Sequence, residues 1–431
     1  MAVAGTLSAL SASIKIGYSD EFMESHQNSN APLLKKFETT TKGLKQDGKS
    51  FDWEFALQSP QNIGTPNDGG ALPTTKARVS YAGSVTVGQF IGTFDLTFLT
   101  EAVATASGSW NGGEPKRSIK ECVTDVTKHM NRIYAGTHGT GRIGQVNAAT
   151  SSSTSFVAKL PVGVLHMRPN MEISIYDDDT GSGGAEDASE TISKIVQSTR
   201  TVTVGNAQTL DANDHIYIAG SYGGTRIANG IRGLVDDGTY LTSVHGASRS
   251  TYEELKSTVL GNSGNLRDMT EDLLIDLAHG VRQRSGQNID LLVMNWGQLA
   301  KFFKHVRADR RLNVSGGEVP TYNVGYKKLP TFFVGGQEVE ILASEDVVPR
   351  EVYGLTTGQF RRVVAKKLGW HTWGGGEIFQ QAVVSGAYVT AKQATLSAFE
   401  NIATYMPAAH GRIEDLYDPQ LCGPTVGGTD A

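Results

Sequence analysis

Cysteine is almost missing: Cys122 and Cys422 are the only two in a chain of 431 residues. Two cysteines this far apart make neither a disulfide framework nor a zinc site, so reduced thiols are expected. Proline is sparse at 13, and no apolar run approaches the roughly 18 residues needed to cross a bilayer as a helix. Met1–Ser19 mixes Ser, Gly and Lys through its apolar residues, so no signal peptide is expected. Charged residues are 19% of the chain, below the usual share of about 25%, and the net charge is −5. A protein that gains affinity by neutralising phosphates is normally more basic. What the chain has in excess is glycine, 50 residues where about 30 are ordinary. These glycines follow no three-residue period, which excludes collagen. A hydrophobic content of 39% excludes wholesale disorder. No internal repeat is present, and the length suggests two to three domains.

Apolar residues are sparse in the first 45 positions, which reads as an arm with one docking patch, Pro32-Leu33-Leu34 with Phe37. Strict alternation then predicts a strand at Phe51–Leu57, with Phe51, Trp53, Phe55 and Leu57 on one face. A polar stretch rich in Gly and Pro, Gln58 to Thr75, precedes a second strand-like run from Lys76 to Tyr81, so a long hairpin with an extended tip is expected. An isolated two-stranded hairpin is marginal in water, so the expectation is that its apolar face packs on a neighbouring subunit.

Glu114 to Ala135 contains no glycine and carries one apolar stripe: Ile119, Cys122, Val123, Val126, Met130, Ile133 and Tyr134. This predicts a helix with Pro115 in its first turn and Gly136 as its stop. Residues 150–225 read as all-β, and α and β mix from Asn229 onward. Helices are expected at Leu266–Arg284 and Trp296–Val306, around a buried strand Ile289–Met294. Strands follow at Thr331–Val334, Val339–Ala343, Val352–Leu355 and Phe360–Ala365, then β segments with one candidate helix in Gly376–Tyr405. The polar tail from Pro407 is expected at the surface.

The chemical motifs are weak. Gly139-Thr140-Gly141-Arg142-Ile143-Gly144 spells G-x-G-x-x-G, but it follows a helix instead of opening one, which reverses the context a dinucleotide site needs. Asp177-Asp178-Asp179 with Glu186 and Asp187 lacks the ordered alternation of a calcium loop and reads as a solvated turn. The ten histidines never fall in H-x-x-x-H or H-x-H, and Asn313-Val314-Ser315 is a chance sequon. Lys301, Lys304, Arg307, Arg310 and Arg311 form a basic cluster, either a phosphate or nucleic-acid contact or else a solvated helix end, where the dipole favours cations, or a subunit contact. No catalytic, cofactor or metal residue is assigned.

The order of the pieces resembles the major capsid proteins of tailed bacteriophages, the Hong Kong ninety-seven-type fold that encapsulins share. Asn30–Phe37 resembles the end of that family's N-terminal arm, and Gly48–Trp53 the opening of its E-loop. Trp110–Gly144 resembles its spine helix and following turn. Asn229–Leu234 resembles an entry into its A-domain, and Asp290–Leu299 the A-domain's strand-to-helix step. The resemblance implies an α+β fold with arm, E-loop hairpin, P-domain with long spine helix, and A-domain. Its expected boundaries are 1–45 for the arm and 46–100 for the hairpin and flanking strands. Residues 101–228 would be the P-domain helix plus a β-rich insert, 229–375 the A-domain, and 376–431 the return to the P-domain and the tail. It also implies a non-enzymatic shell subunit forming pentamers and hexamers around double-stranded DNA in a virion, assembled in the bacterial cytoplasm. Scaffolding, portal and decoration proteins are the implied partners, with no membrane. Some relatives cross-link Lys to Asn, but Lys45, Lys49 and Lys76 come with no visible acceptor, so no bond is expected. The alternatives are an encapsulin-type compartment or, from another class, a β-rich hydrolase or glycan-binding protein.

Overall fold

The computed structural model describes residues 33, 36–39, 45–58, 63–98, 114–135, 142–160, 162–177, 185–219, 228–309, 332–334, 337–372, 379–384 and 387–418. Among these, strands dominate and a few helices pack on their faces, an α+β architecture.

One five-stranded sheet is assembled from distant segments. The 18-residue strand Ala387–Thr404 pairs with Gly88–Thr97 along one edge, and on the other with Phe379–Val384 and then Phe360–Trp370. Glu38–Thr39 adds in parallel beside Arg361 and Arg362. The helix Glu114–Ala135 has the predicted bounds and lies over the Gly88–Thr97 strand. Gly92 permits that approach, because a Cβ there would run into Val126. Val123, Val126, Met130 and Ile133 are buried, as is Tyr134. The side chain of Ile119 lies outside the described residues.

A second sheet orders Thr258–Leu260, Gly411–Ile413, Val352–Leu355, Leu291–Met294, Gln337–Ala343 and Phe332–Val334. The helix Glu271–Ser285 packs against it, closed by Gly286 at φ 69°. That helix starts five residues later than its apolar stripe suggests. Arg267 bridges to Leu416, and its backbone is hydrogen-bonded to Asp415 and Tyr417, which holds this stretch extended until Thr270 caps the first turn. Two further expectations fail. Within 379–384 and 387–404 the chain is strand, with no helix. Residues 407–418 are interior, the rest of the tail lying outside the described residues: Gly411–Ile413 lies between two other strands, and Ala409, His410, Arg412, Ile413, Leu416 and Asp418 are fully buried. The polar residues there had suggested a surface, but Arg412 is paired inside with Asp236 and Glu414.

The β-rich insert is a closed structure with its own core. Its six strands run in the order Gly144–Gln145, His215–Ile218, Glu172–Tyr176, Ala185–Val196, Thr201–Leu210, Thr150–Val157. The two end strands meet through the Val146–Ala158 bridge, which closes the sheet into a barrel. Ile143, Phe156, Ile173, Ile175, Val202 and Ile216 fill it.

Candidate functional site

The hairpin is the element to which sequence reasoning gave a function. Ser50–Gln58 and Val79–Thr86 form its antiparallel arms, with Lys45–Asp47 as a third strand. Residues 63–78 form an exposed tip without regular structure, where Ile63 is 90% and Leu72 86% exposed. The apolar face is a correction to the expectation. Phe51, Trp53 and Phe55 are buried in this chain's own core, and Leu57 packs half-buried against it, so the face is not open to a neighbouring subunit.

Its seat is built by residues far along the chain. The Trp53 ring lies 4.8 Å from His245 and 5.8 Å from Tyr405, both edge-on, and Phe55 stacks on His245. Gly83 opposite Trp53 leaves room for the Phe55 ring, which a Cβ there would strike. Polar contacts reinforce the seat. Ser84 N–H donates to the His245 carbonyl (3.1 Å), Tyr81 hydroxyl to the Gly246 carbonyl (2.8 Å) and Asn401 amide to the Thr86 carbonyl (2.6 Å).

His245 itself sits in a tight turn. His245 and Gly246 have φ 50° and 88° between the paired residues Val244 and Ala247, the geometry that joins strands through two positive-φ residues. Its Nε2 accepts from Thr404 N–H (3.2 Å), so that nitrogen carries no proton and the ring is neutral. Burial, helped by Arg249, lowers its pKa to about 3. His410 repeats the arrangement: Nδ1 accepts from Thr356 N–H (3.2 Å), Nε2 meets the Thr404 hydroxyl (2.9 Å), and burial lowers its pKa to about 3. No sequence motif marked either histidine; the His-Gly pair between short alternating runs was the one available cue to the turn.

The arm residues dock on the same body. Leu33 is fully buried, Phe37 stacks on Phe360 at 4.6 Å, and Lys36 pairs with Glu340. Leu34 lies outside the described residues.

Beneath the hairpin seat a buried ionic network fixes the segment that opens with Asn229. Arg249, fully buried, donates to the carbonyls of Gly233, Leu234, Leu241 and Leu255. Asp236 accepts from the backbone N–H groups of Gly238, Tyr240 and Leu241, and pairs with Arg412 at 3.2 Å. Arg232 pairs with Glu351 at 2.7 Å.

The basic cluster is only partly visible. Lys301 is committed to Asp268 and lies over the Tyr417 ring (4.2 Å), while Lys304 is exposed. The side chain of Arg307 and all of Arg310 and Arg311 lie outside the described residues. Of the G-x-G-x-x-G run, Arg142-Ile143-Gly144 leads into a strand, not a helix, and Gly139–Gly141 is outside the described residues. Among the described residues no group of three or more His, Cys, Asp or Glu side chains converges in a way that could hold a metal ion.

No family model matches the chain, and no curated protein matches it. Solved structures do. The cyanophage A-1(L) capsid asymmetric unit aligns with 90% of this chain and 94% of its own, at 12% identity and a TM-score of 0.52. The capsid of an empty GTA particle (9% identity, 90% and 91% coverage, TM-score 0.44) and Mycobacterium phage Bobi (9%, 91% and 92%, 0.43) align less closely. The cyanophage alignment covers nearly the whole of both chains. The chain therefore has the tailed-phage major capsid fold.

Proposed function

We propose that this chain is the major subunit of a phage head, assembling with copies of itself into pentamers and hexamers that enclose double-stranded DNA. The observation that carries this is the alignment of nearly the whole chain with nearly the whole of a capsid subunit. Physically, head-to-tail contacts that close around five or six copies make rings, and rings tile a shell. Such a subunit needs a rigid body and a protruding element. Here the hairpin root is welded to the body through Trp53, while the tip at 63–78 stands exposed with two large apolar side chains. The tip, not the Phe51–Leu57 face, is the part that would reach a neighbour. The subunit works by geometry and carries no catalytic role. The virion is its location after assembly in a bacterial cytoplasm, with separate scaffolding, portal and decoration proteins as partners.

The domain boundaries 1–45, 46–100, 101–228, 229–375 and 376–431 belong to the same proposal, with one adjustment. The last segment serves two sheets, since Gly411–Ile413 joins the sheet that holds Leu291–Met294. The test is expression of the chain alone and together with its phage neighbours, followed by negative-stain microscopy. Rings or closed shells support the proposal, and a phage head with double-stranded DNA inside separates it from a cargo-filled compartment.

A further inference from the structure

The root of the arm and the root of the hairpin are joined by one buried chain of contacts. Glu38 and Thr39 run parallel beside Arg361 and Arg362, and this register sets Phe37 against Phe360, ring on ring at 4.6 Å. Phe360 is paired across the ladder with Thr404, the last residue of the 18-residue strand. The single turn Pro407–Ala409 then brings the chain back, so that the His410 ring stacks on Phe360 at 4.2 Å. Thr404 stands between the two histidines, its hydroxyl 2.9 Å from His410 Nε2 and its N–H on His245 Nε2 at 3.2 Å. His245 in turn carries the rings of Trp53 and Phe55.

Each polar link in this chain has one assignment of protons. His410 Nδ1 accepts from Thr356 N–H, so its proton is on Nε2 and that nitrogen donates to the Thr404 hydroxyl. His245 Nε2 accepts from Thr404 N–H, so its proton is on Nδ1. Phe360, Thr404 and His410 are fully buried, and Phe37, His245 and Trp53 are buried beside them. Displacing one member leaves a buried donor or acceptor without its partner, which ties the positions of the others to it. We propose that the arm is a strap: its docking at Phe37 holds the hairpin root seated at Trp53, and the coupling runs through Phe360, His410, Thr404 and His245. An arm drawn off its own body onto a neighbouring copy would then loosen the hairpin root. That consequence rests on the capsid reading above; the coupling itself does not.

Hydrogen exchange of the purified, unassembled full-length chain, read by mass spectrometry, tests the coupling. Phe37→Ala takes the arm ring off Phe360. We expect the amides of Ser50–Gln58 and Val79–Thr86 to exchange at least about fivefold faster, the lower end of the coupling found between linked sites, while the barrel and the helix Glu271–Ser285 keep the parent rates. Thr404→Val keeps the backbone N–H and removes the hydroxyl. In that background Phe37→Ala is expected to leave hairpin exchange where Thr404→Val alone puts it. A second route bypasses the Thr404 hydroxyl, since Arg361 lies 5.2 Å over the Tyr405 ring and Tyr405 meets Trp53. Unchanged hairpin exchange in Phe37→Ala overturns the proposal, and so does the same acceleration with and without Thr404→Val, which assigns the coupling to that second route. Should Phe37→Ala speed the control segments as well, Phe37→Leu, which keeps an apolar side chain against Phe360, decides by the same comparison. Shell assembly is not part of the readout, so failure here leaves the capsid proposal standing.

Discussion

Replacing Trp53 by alanine separates the two roles the hairpin face has been given. Trp53 is 7% exposed and touches Phe55, His245 and Tyr405. Truncating a buried Trp to Ala costs about 3–5 kcal/mol through lost transfer energy and the cavity left behind. The edge-on ring contacts fall within that range, at about 0.5–1.5 kcal/mol per pair. Trp53→Phe is the informative partner. It keeps most of the packing and removes an indole N–H that is buried without an acceptor, a group whose burial costs about 1–3 kcal/mol. The smaller ring and the lost orphan donor offset each other, so Trp53→Phe is expected within about 1 kcal/mol of the parent. Urea unfolding of dissociated subunits, followed by far-ultraviolet circular dichroism, reads both variants. A Trp53→Ala subunit that unfolds at the parent midpoint yet fails to assemble would put the ring in an interface between subunits and contradict its place in the core.

Three further outcomes are expected. His166, His245 and His410 have pKa values lowered to about 3 by burial, and His129 to about 4, against 6.5 for the free group. The unfolded chain therefore takes up protons below about pH 6.5 that the folded chain refuses. Stability is full above that pH and falls as the pH drops toward 3. At about 1.4 kcal/mol per pKa unit each group costs on the order of 2 kcal/mol near pH 4.5, not additively. Urea midpoints across pH 7.5 to 4.5 should slope downward, less steeply in His245→Gln; parallel slopes would remove His245 from the account. Gly92→Ala should destabilise by about 1–3 kcal/mol through its clash with Val126, and Val126→Ala should rescue it in a double-mutant cycle; strictly additive losses would show that helix and strand do not meet there. Ile63→Ser with Leu72→Ser should leave subunit stability within about 0.5 kcal/mol while lowering shell yield, and an undiminished yield would take the tip out of assembly.

Elements with a strong period were legible in the sequence. Glu114–Ala135 appears with its predicted bounds, and Phe51–Leu57 lies within the observed strand Ser50–Gln58. Periodicity shows that a face is buried but not against what. The partners of Trp53, His245 and Tyr405, are distant in sequence, so the same pattern fits a neighbouring subunit or the chain's own body. The burial of residues 407–418 escapes the sequence pattern for a related reason. Arg412 looks like a surface residue until its charge meets Asp236 and Glu414. Closure of the barrel rests on one pairing, Val146 with Ala158, across a run of Ser and Thr that carries little apolar signal.

Assembly is the property that defines a shell subunit. Negative-stain electron microscopy of the purified chain, with size-exclusion chromatography of the same sample, reads it directly. Shells or five- and six-fold rings built from the 46.1 kDa chain are the predicted result. A monodisperse monomer or small oligomer that persists at high concentration would contradict it.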